Sequence, residues 1–496
     1  MSFYDAIRVG ASGAGDYEIK RSLRFDDEQS SPTRLTRTVQ SGGNLKKFTV
    51  SFWVKRSQLG NTSYSNSAGN SGQHILHSVG AGNRGTIKFT SDDKIQFTQG
   101  SDAGGSAGNI STNAVFRDVS AWYHILVVAD YANSTVADRG KIFVNGVRQE
   151  VSTATNFLDA NGKLNTNQVH ELGFAEYGQG YTGSSWWFNF FCGYMAEFYF
   201  IDDQAYDPSY FTETNVITGQ LIPKKYTGGF GTTGWYLNFL DNSAVTATTL
   251  GKDSSGNANN WTPDGFSVAA GAGNDSLEDS PTNNFCTLNP ITFGSGGGEP
   301  SATLSNGNLD FTESSSNNRT AVSTFGLKTG KWYFEFLSTN TGTFSIGWHD
   351  FENNQGSFYR NNGSYSSSFG GGGTSGYASW TTNDIVGVAI DFDSGKIWYA
   401  KNNTWQSGDP ATGNSPTNTF TTGRTLHTEA FTDNSSGTKS GSFNYGQRPF
   451  TYTPPTGYKS MCSANLPDPT ILLPNKHFDT VPVSYTHLTL PTKRIV

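Results

Sequence analysis

Over much of the chain, apolar residues recur at every second position in short stretches that end in Gly, Asn, Asp or Ser. Phe48, Val50, Phe52 and Val54 alternate with Thr49, Ser51, Trp53 and Lys55, the period of a strand with one buried face. A polar stretch over 58–73 reads as a long exposed loop. Short strands are predicted over 86–90 and 94–98, with Ser91-Asp92-Asp93 as the turn between them. Trp122 to Ala129 is nearly continuous apolar sequence, as expected of a strand covered on both faces. The run 141–144 leads into Asn145-Gly146, a dipeptide favoured in type I′ hairpins, and 193–201 alternates again.

A second strand-rich block starts near Ala302. Residues 331–336 and 343–348 read as strands paired across Thr339-Asn-Thr-Gly. Val386, Val388, Ile390 and Phe392 share one face, Asp393-Ser-Gly turns into 396–401, and 441–445 reads as the last strand. Between the blocks, 206–300 is loop chemistry, exemplified by Asp253-Ser-Ser-Gly-Asn-Ala-Asn-Asn, although Trp235 and Trp261 call for some packed strands.

Composition agrees with short strands and tight turns. Of 496 residues only 15% are charged while 14% are aromatic, with 58 Gly and 3 Met. Disordered chains are charged and poor in aromatics, and helical ones are rich in Ala, Leu, Glu, Lys and Met. A net charge of -7 and a pI near 5.6 count against nucleic acid as the main ligand. No apolar window is long enough to span a membrane, so no membrane insertion is expected. No apolar signal region is read in residues 1–25, and Cys192, Cys286 and Cys462 are too few for a disulfide framework; folding in a reducing cytoplasm is expected.

The segments Phe48-Thr-Val-Ser-Phe-Trp-Val, Trp122-Tyr-His, Lys141-Ile-Phe-Val-Asn-Gly and Gly193-Tyr-Met-Ala-Glu-Phe-Tyr-Phe resemble a laminin-G/concanavalin A-like (LamG) domain over about 22–212. Gly330-Lys-Trp-Tyr-Phe-Glu-Phe, Ser345-Ile-Gly-Trp, Asp384-Ile-Val-Gly-Val-Ala-Ile-Asp-Phe-Asp and Phe443-Asn-Tyr-Gly-Gln-Arg-Pro-Phe resemble a SPRY domain over about 302–453. With Gly251-Lys-Asp-Ser-Ser-Gly-Asn and Asp279-Ser-Pro-Thr-Asn between them, the combination is similar to tail-fibre-like proteins of marine bacteriophages. The expected fold class is all-β: two antiparallel β-sandwiches, concanavalin A-like/LamG and then SPRY-like, joined by a loop-rich β linker. The expected organisation is a lead-in (1–21), the first sandwich (22–212), the linker (213–301), the second sandwich (302–453) and the start of a truncated segment (454–482). Residues 483–496 begin Val483-Ser-Tyr-Thr-His-Leu-Thr-Leu-Pro-Thr, which corresponds to one frame of a transposon adapter used in sequencing libraries. The expectation is that natural sequence ends near Pro482; resequencing the source locus decides it.

Several motifs have a plain reading beside the chemical one. Gly80-Ala-Gly-Asn-Arg-Gly has dinucleotide-fingerprint spacing, but Thr86-Ile-Lys-Phe-Thr follows as a strand, so a hairpin turn is expected. Asp391 and Asp393 could serve as a glycosidase acid pair on one strand face, but Asp393 opens a turn and a structural role is expected. His74 and His77 sit in strand-like sequence, where they would face opposite sides, and form no metal site. No Gly-x-Ser-x-Gly elbow occurs, Cys192 reads as a small core residue, and sequons such as Asn61-Thr-Ser are read as unglycosylated. No cofactor is expected. Calcium stays open, since laminin-G-like domains sometimes bind it through Asp and Asn oxygens, but no spacing here matches an EF-hand and no ligands are assigned.

Aromatic rings stack on sugar faces. The densest aromatic cluster, 181–191, offers Tyr181, Trp186 and Trp187 as ligand contacts; Tyr359, Tyr377, Trp380 and Trp405 lie in or beside loop-like sequence of the second block. The resemblance implies a non-enzymatic virion protein, made in the host cytoplasm, that recognises the host surface. Its expected partners are a host glycan or outer-membrane protein and other tail proteins, and a homotrimer is implied, although no heptad stalk is present. The alternatives are a polysaccharide depolymerase on the same fibre and a bacterial surface adhesin.

Overall fold

The computed structural model describes residues 17–26, 32–40, 42–60, 63–64, 72–79, 84–100, 108–152, 163–177, 187–215, 218–291, 302–314, 319–340, 342–369, 373–432 and 437–467. All statements below concern these residues. The fold is all-β, built from antiparallel sheets packed as sandwiches, with three short 3₁₀ turns and no helix long and apolar enough to cross a membrane.

The first sandwich sets an eight-stranded sheet against a seven-stranded one. The eight-stranded sheet is centred on Lys47–Arg56, which pairs with Trp122–Asp130 on one side and Gly193–Asp202 on the other. In the seven-stranded sheet, Arg34–Thr38, Val169–Leu172, Gly72–Val79, Arg84–Thr90, Ile95–Gly100 and Gly108–Ser111 lie side by side. Phe48, Val50, Phe52 and Val54 meet Ile87, Phe89, Phe97 and Leu172 in the core between the sheets. The hairpin at Asn145-Gly146 has φ of 48° and 78°, as a type I′ turn requires.

The alternation in Lys47–Arg56 predicted one buried face. In the structure Thr49, Ser51, Trp53 and Lys55 are buried too, because the outer face of this sheet is covered. Residues 203–236 cover one part: Phe211 and Tyr226 pack on Leu126, Val128, Tyr199 and Ile201. Trp53, Trp122, Tyr194 and Ala196 belong instead to a core shared with the second sandwich.

The second sandwich packs a sheet containing Lys331–Ser338, Ile385–Asp391, Lys396–Lys401 and Lys439–Asn444 on one containing Phe344–Asp350, Gln355–Arg360 and His427–Thr432. The expected pairing across residues 339–342 does not occur. Lys331–Ser338 pairs with Ile385–Asp391 and Lys439–Asn444, whereas Phe344–Asp350 lies in the opposite sheet, so this connection crosses the core. Both strands carry a buried apolar face, and facing sheets satisfy both faces as well as a hairpin does.

Much of the segment read as a linker is part of the first sandwich. Trp235–Leu237 pairs with Gly193–Asp202, Thr262–Asp264 with Arg34–Thr38, and Ser276–Leu277 with Ser22–Phe25. Gly251 lies so close to the Trp261 carbonyl that a Cβ would stand 1.8 Å from it. Past the expected end of the second sandwich, Lys459 bridges to Trp332 and Cys462 to Phe285. The lead-in also docks: Ile19 is buried, and its backbone N–H donates to Thr282 Oγ1 at 3.1 Å. The two sandwiches are held by direct contacts. Tyr194 Oη donates to the Gly307 carbonyl at 2.6 Å, Asn308 Nδ2 to the Ser57 carbonyl at 2.7 Å, and Arg448 Nη1 to the Ala272 carbonyl at 3.0 Å.

Candidate functional site

Strand register decides what the outer face of the seven-stranded sheet presents. In Arg84–Thr90 and Ile95–Gly100 the residues Ile87, Phe89, Ile95 and Phe97 point into the core, so Lys88, Gln96 and Thr98 point out. Asn109 and Ser111 continue these rows onto the edge strand, where Ile110 points inward. These five outward residues are all half-buried, and each carries a donor or an acceptor. Gln96 Nε2 donates to Ser111 Oγ at 2.9 Å. Asn109 Oδ1 finds no hydrogen-bond donor among the described residues.

Towards the middle of the sheet the same face carries Thr86, His77 and Glu171 in register on neighbouring strands, all buried. His77 Nδ1 lies 3.0 Å from Thr86 Oγ1. The expectation that His74 and His77 face opposite sides is corrected. A β-bulge between His74 and Leu76 shifts the parity by one, so their rings meet edge to face at 5.6 Å. Among the described residues no group of His, Cys, Asp or Glu side chains is arranged to hold a metal ion. The acidic loops are organised by N–H donors instead. Asp253 accepts from the backbone N–H groups of Tyr236, Ser255 and Asn259, and Asp202 from that of Asn44 and from Asn165 Nδ2.

A small sheet of Phe174–Tyr177, Trp187–Phe190 and Ser63–Tyr64 lies against the strand Gly72–Val79. Trp187 opens the middle strand, opposite Tyr177. Phe190 is buried against Phe174, with 5.4 Å between centroids, and the Arg34 guanidinium stands 4.9 Å from the Phe174 ring. Asn189 is buried, and its Oδ1 has no donor among the described residues. Tyr181 and Trp186 lie outside the described residues.

The four aromatic candidates of the second sandwich are not a shared surface. Tyr359 and Trp380 are 0% and 2% exposed and belong to the core, which corrects their placement on ligand-facing loops. Tyr359 sits mid-strand with its hydroxyl bonded to the Ala378 carbonyl, and Trp380 meets Phe344 edge to face at 5.0 Å. Tyr377 is half-buried beside Tyr359, and Trp405 is half-buried in a separate cluster with Tyr333, Trp398 and Tyr458. Asp391 ends the strand Ile385–Asp391, and Asp393 lies in the turn that follows. Asp391 Oδ1 accepts from the N–H groups of Asp393 and Ser394, and Asp393 Oδ1 from that of Gly330. Burial pushes the Asp391 carboxyl up, but bonds from Ser394 and Lys331 prevail and hold it below the usual range. The strands on either side of the glycine motif, Gly72–Val79 and Arg84–Thr90, pair antiparallel; residues 80–83 of the motif lie outside the described residues. All three cysteines are buried.

A groove of about 550 Å³ opens at the sandwich edge beyond Ser111, lined by Ile110, Asn113, Val136, Arg148, Glu150 and Val151 among others.

Residues 29–204 match a laminin-G family model described as the concanavalin A-like lectin/glucanases superfamily. This range covers the polar face and most of the two sheets; Ser22–Phe25, Trp235–Leu237, Thr262–Asp264 and Ser276–Leu277 lie outside it. No curated protein matches the chain at a significant level. Among solved structures, the chain is similar to domains LG4-5 of the mouse laminin alpha1 chain: 9% identity over 88% of this chain and 90% of that one, TM-score 0.30. It is similar to the SPRY domain of human HERC1 at 14% identity, over 33% and 99%, TM-score 0.24. It is also similar to domain 4 of a GH43 extracellular arabinanase from Geobacillus stearothermophilus, solved with arabinotriose, at 17% identity over 40% and 79%, TM-score 0.25. Likenesses this remote carry no functional argument.

Proposed function

We propose that this chain is a carbohydrate-recognition protein that binds glycan on the outer face of its seven-stranded sheet without cleaving it. The observation that carries the reading is the polar shelf of Lys88, Gln96, Thr98, Asn109 and Ser111 on the outer face of a sheet whose strand Gly72–Val79 packs against the aromatic strand Trp187–Phe190. Sugars offer hydroxyls in a plane and apolar ring faces; a row of half-buried donors and acceptors suits the first, and aromatic sequence the second. The lectin/glucanase description of the family matched over 29–204 supports it. Hydrolysis needs two carboxylates flanking the scissile bond. Glu171 lies buried in the sheet beside His77 and Thr36, which favours binding over cleavage.

The biological setting we propose is a phage tail fibre or similar virion appendage that recognises the host surface. The support is the order of laminin-G-like and SPRY-like sequence with the connecting segments quoted above. In such a setting affinity is modest per site, and several copies, as in a homotrimer, supply avidity. The test is binding of the full chain to an array of bacterial surface glycans, repeated with Gln96→Ala/Lys88→Ala and with Trp187→Ala. Saturable binding that both variants weaken at least tenfold is the expected result. Absence of binding, even with the protein artificially trimerised, overturns the glycan reading in favour of a protein receptor.

A further inference from the structure

Three side chains converge where the first sandwich meets the second. Lys55 leaves the outer face of the central strand; Asp279 and Asn284 come from the segment that leads into the second sandwich. Lys55 Nζ stands 2.9 Å from Asp279 Oδ2, 2.7 Å from Asn284 Oδ1 and 2.9 Å from the Phe285 carbonyl. The exposures of Lys55, Asp279 and Asn284 are 1%, 0% and 2%. Trp122, Tyr194 and Cys286 wall the site, and the Tyr194 ring centroid is 5.6 Å from Nζ.

The other atoms of the trio are also held. Asp279 Oδ1 accepts from Trp122 Nε1 at 3.0 Å and from the Phe285 N–H at 3.2 Å, which aims Oδ2 at the amine. Asn284 Nδ2 donates to the Ser120 carbonyl at 2.7 Å, which fixes the carboxamide with its oxygen towards Lys55. A primary amine, a carboxamide and a carboxyl group thus share one site shielded from bulk water, in fixed contact. Such fixed contact turns a slow bimolecular amide exchange into an intramolecular one, with effective molarities of about 10⁵ M or more. An unpaired charge is costly in this environment, so moving a proton from amine to carboxylate removes two buried charges together.

We propose that Lys55 and Asn284 are joined by an isopeptide bond, with Asp279 carrying the protons. Asp279 takes a proton from Nζ and frees its lone pair, which adds to Asn284 Cγ. The Cγ–Nδ2 bond then breaks as the Nζ–Cγ amide forms. Two Nζ hydrogens pass through Asp279 to the departing nitrogen, which leaves as ammonium and returns Asp279 to carboxylate. No oxidant, reductant or co-reactant is consumed. The bond ties residues 229 positions apart and fastens the first sandwich to the strand-poor segment that precedes the second. Removal of the amine, the carboxamide or the proton carrier prevents it.

The test is the intact mass of the purified full chain, followed by proteolytic peptide mapping. The expected mass is that of the sequence less one ammonia, with a single joined peptide pair containing Lys55 and Asn284 and no tryptic cleavage after Lys55. The isosteric variant Asp279→Asn, checked for folding by near-ultraviolet circular dichroism, is expected at full mass with the two peptides separate. Wild-type chain at full mass, or an ammonia loss that maps elsewhere, overturns the proposal whether or not the variant folds. A joined pair that persists in Asp279→Asn overturns the role of Asp279.

Discussion

The indole rings of Trp235 and Trp261 meet edge to face inside the first sandwich, with 4.8 Å between their centroids. Both residues lie well beyond position 212, where the alternating sequence of that sandwich gives out. Trp261 is completely buried, and Trp235 stacks on Phe198 and Phe200 of the strand Gly193–Asp202. Trp261→Ala is therefore expected to destabilise the first sandwich by about 3–5 kcal/mol, as a large core truncation does. A fragment ending at residue 212 loses both indoles and three paired strands, and is expected to show no cooperative thermal transition. Calorimetry of that fragment beside the whole chain checks this; a sharp transition at the wild-type midpoint would contradict it.

Trp380 and Tyr377 are three residues apart and should behave differently. Trp380 packs edge to face on Phe336 and Phe344 at 6.0 and 5.0 Å, whereas Tyr377 is half-exposed. Trp380→Ala is expected to cost about 3–5 kcal/mol in chemical denaturation of the second sandwich. Tyr377→Ala is expected to cost roughly 1 kcal/mol, the usual effect of a substitution away from the core. Equal losses in the two variants would mean that Trp380 is not the core residue its packing makes it.

The strands most legible in the sequence are those whose alternation is unbroken, such as Arg84–Thr90 and the run of Val386, Val388 and Ile390. Three things were not legible there. The bulge beside Ile75 brings His74 and His77 to one side, and no residue at that point announces an extra position. The partners of Thr49 and Lys55 come from residues more than 150 positions away, which local periodicity does not sense. The strands at 235–237, 262–264 and 276–277 are two or three residues long, too short for a period-two signal among Gly and Asn, so the segment read as loop. The polar shelf, by contrast, is written in the alternation of Ile87-Lys88-Phe89 and Ile95-Gln96-Phe97-Thr98.

Acid should loosen the first sandwich through His124. Its ring is buried on the central strands, with Nε2 2.9 Å from Ser51 Oγ, and burial pushes its pKa down to about 3. The folded state thus holds the imidazole neutral while the unfolded chain takes up a proton below about pH 6.5. The stabilisation is fully present above that pH and is lost as pH falls towards the folded value. Between pH 7 and pH 4 wild type should lose about 3 kcal/mol more than His124→Gln, whose side chain does not titrate. Urea titrations of both proteins at the two pH values measure the difference. Parallel losses would remove His124 from the acid response.

Glu197 should produce the opposite slope. It sits at the bulge between Ala196 and Tyr199 with φ of 50°, and its carboxylate is buried with no cation beside it. Tyr17 Oη and Tyr236 Oη donate to it at 2.7 and 2.6 Å, and the Tyr199 hydroxyl completes the set. Burial pushes the carboxyl up and the three phenol donors pull it down without cancelling the effect, so its folded pKa stays raised. A raised folded value means that the folded state keeps a proton that the unfolded chain has released. That contribution is fully present below the unfolded value and disappears as pH rises through the folded one. The stability of wild type minus that of Glu197→Gln is therefore expected to fall as pH rises above about 4. Tyr236→Phe removes one donor to the anion, raises the carboxyl further and should make the fall steeper. A difference that rises with pH would mean that the phenols outweigh burial, and would identify this carboxylate as a stabilised anion.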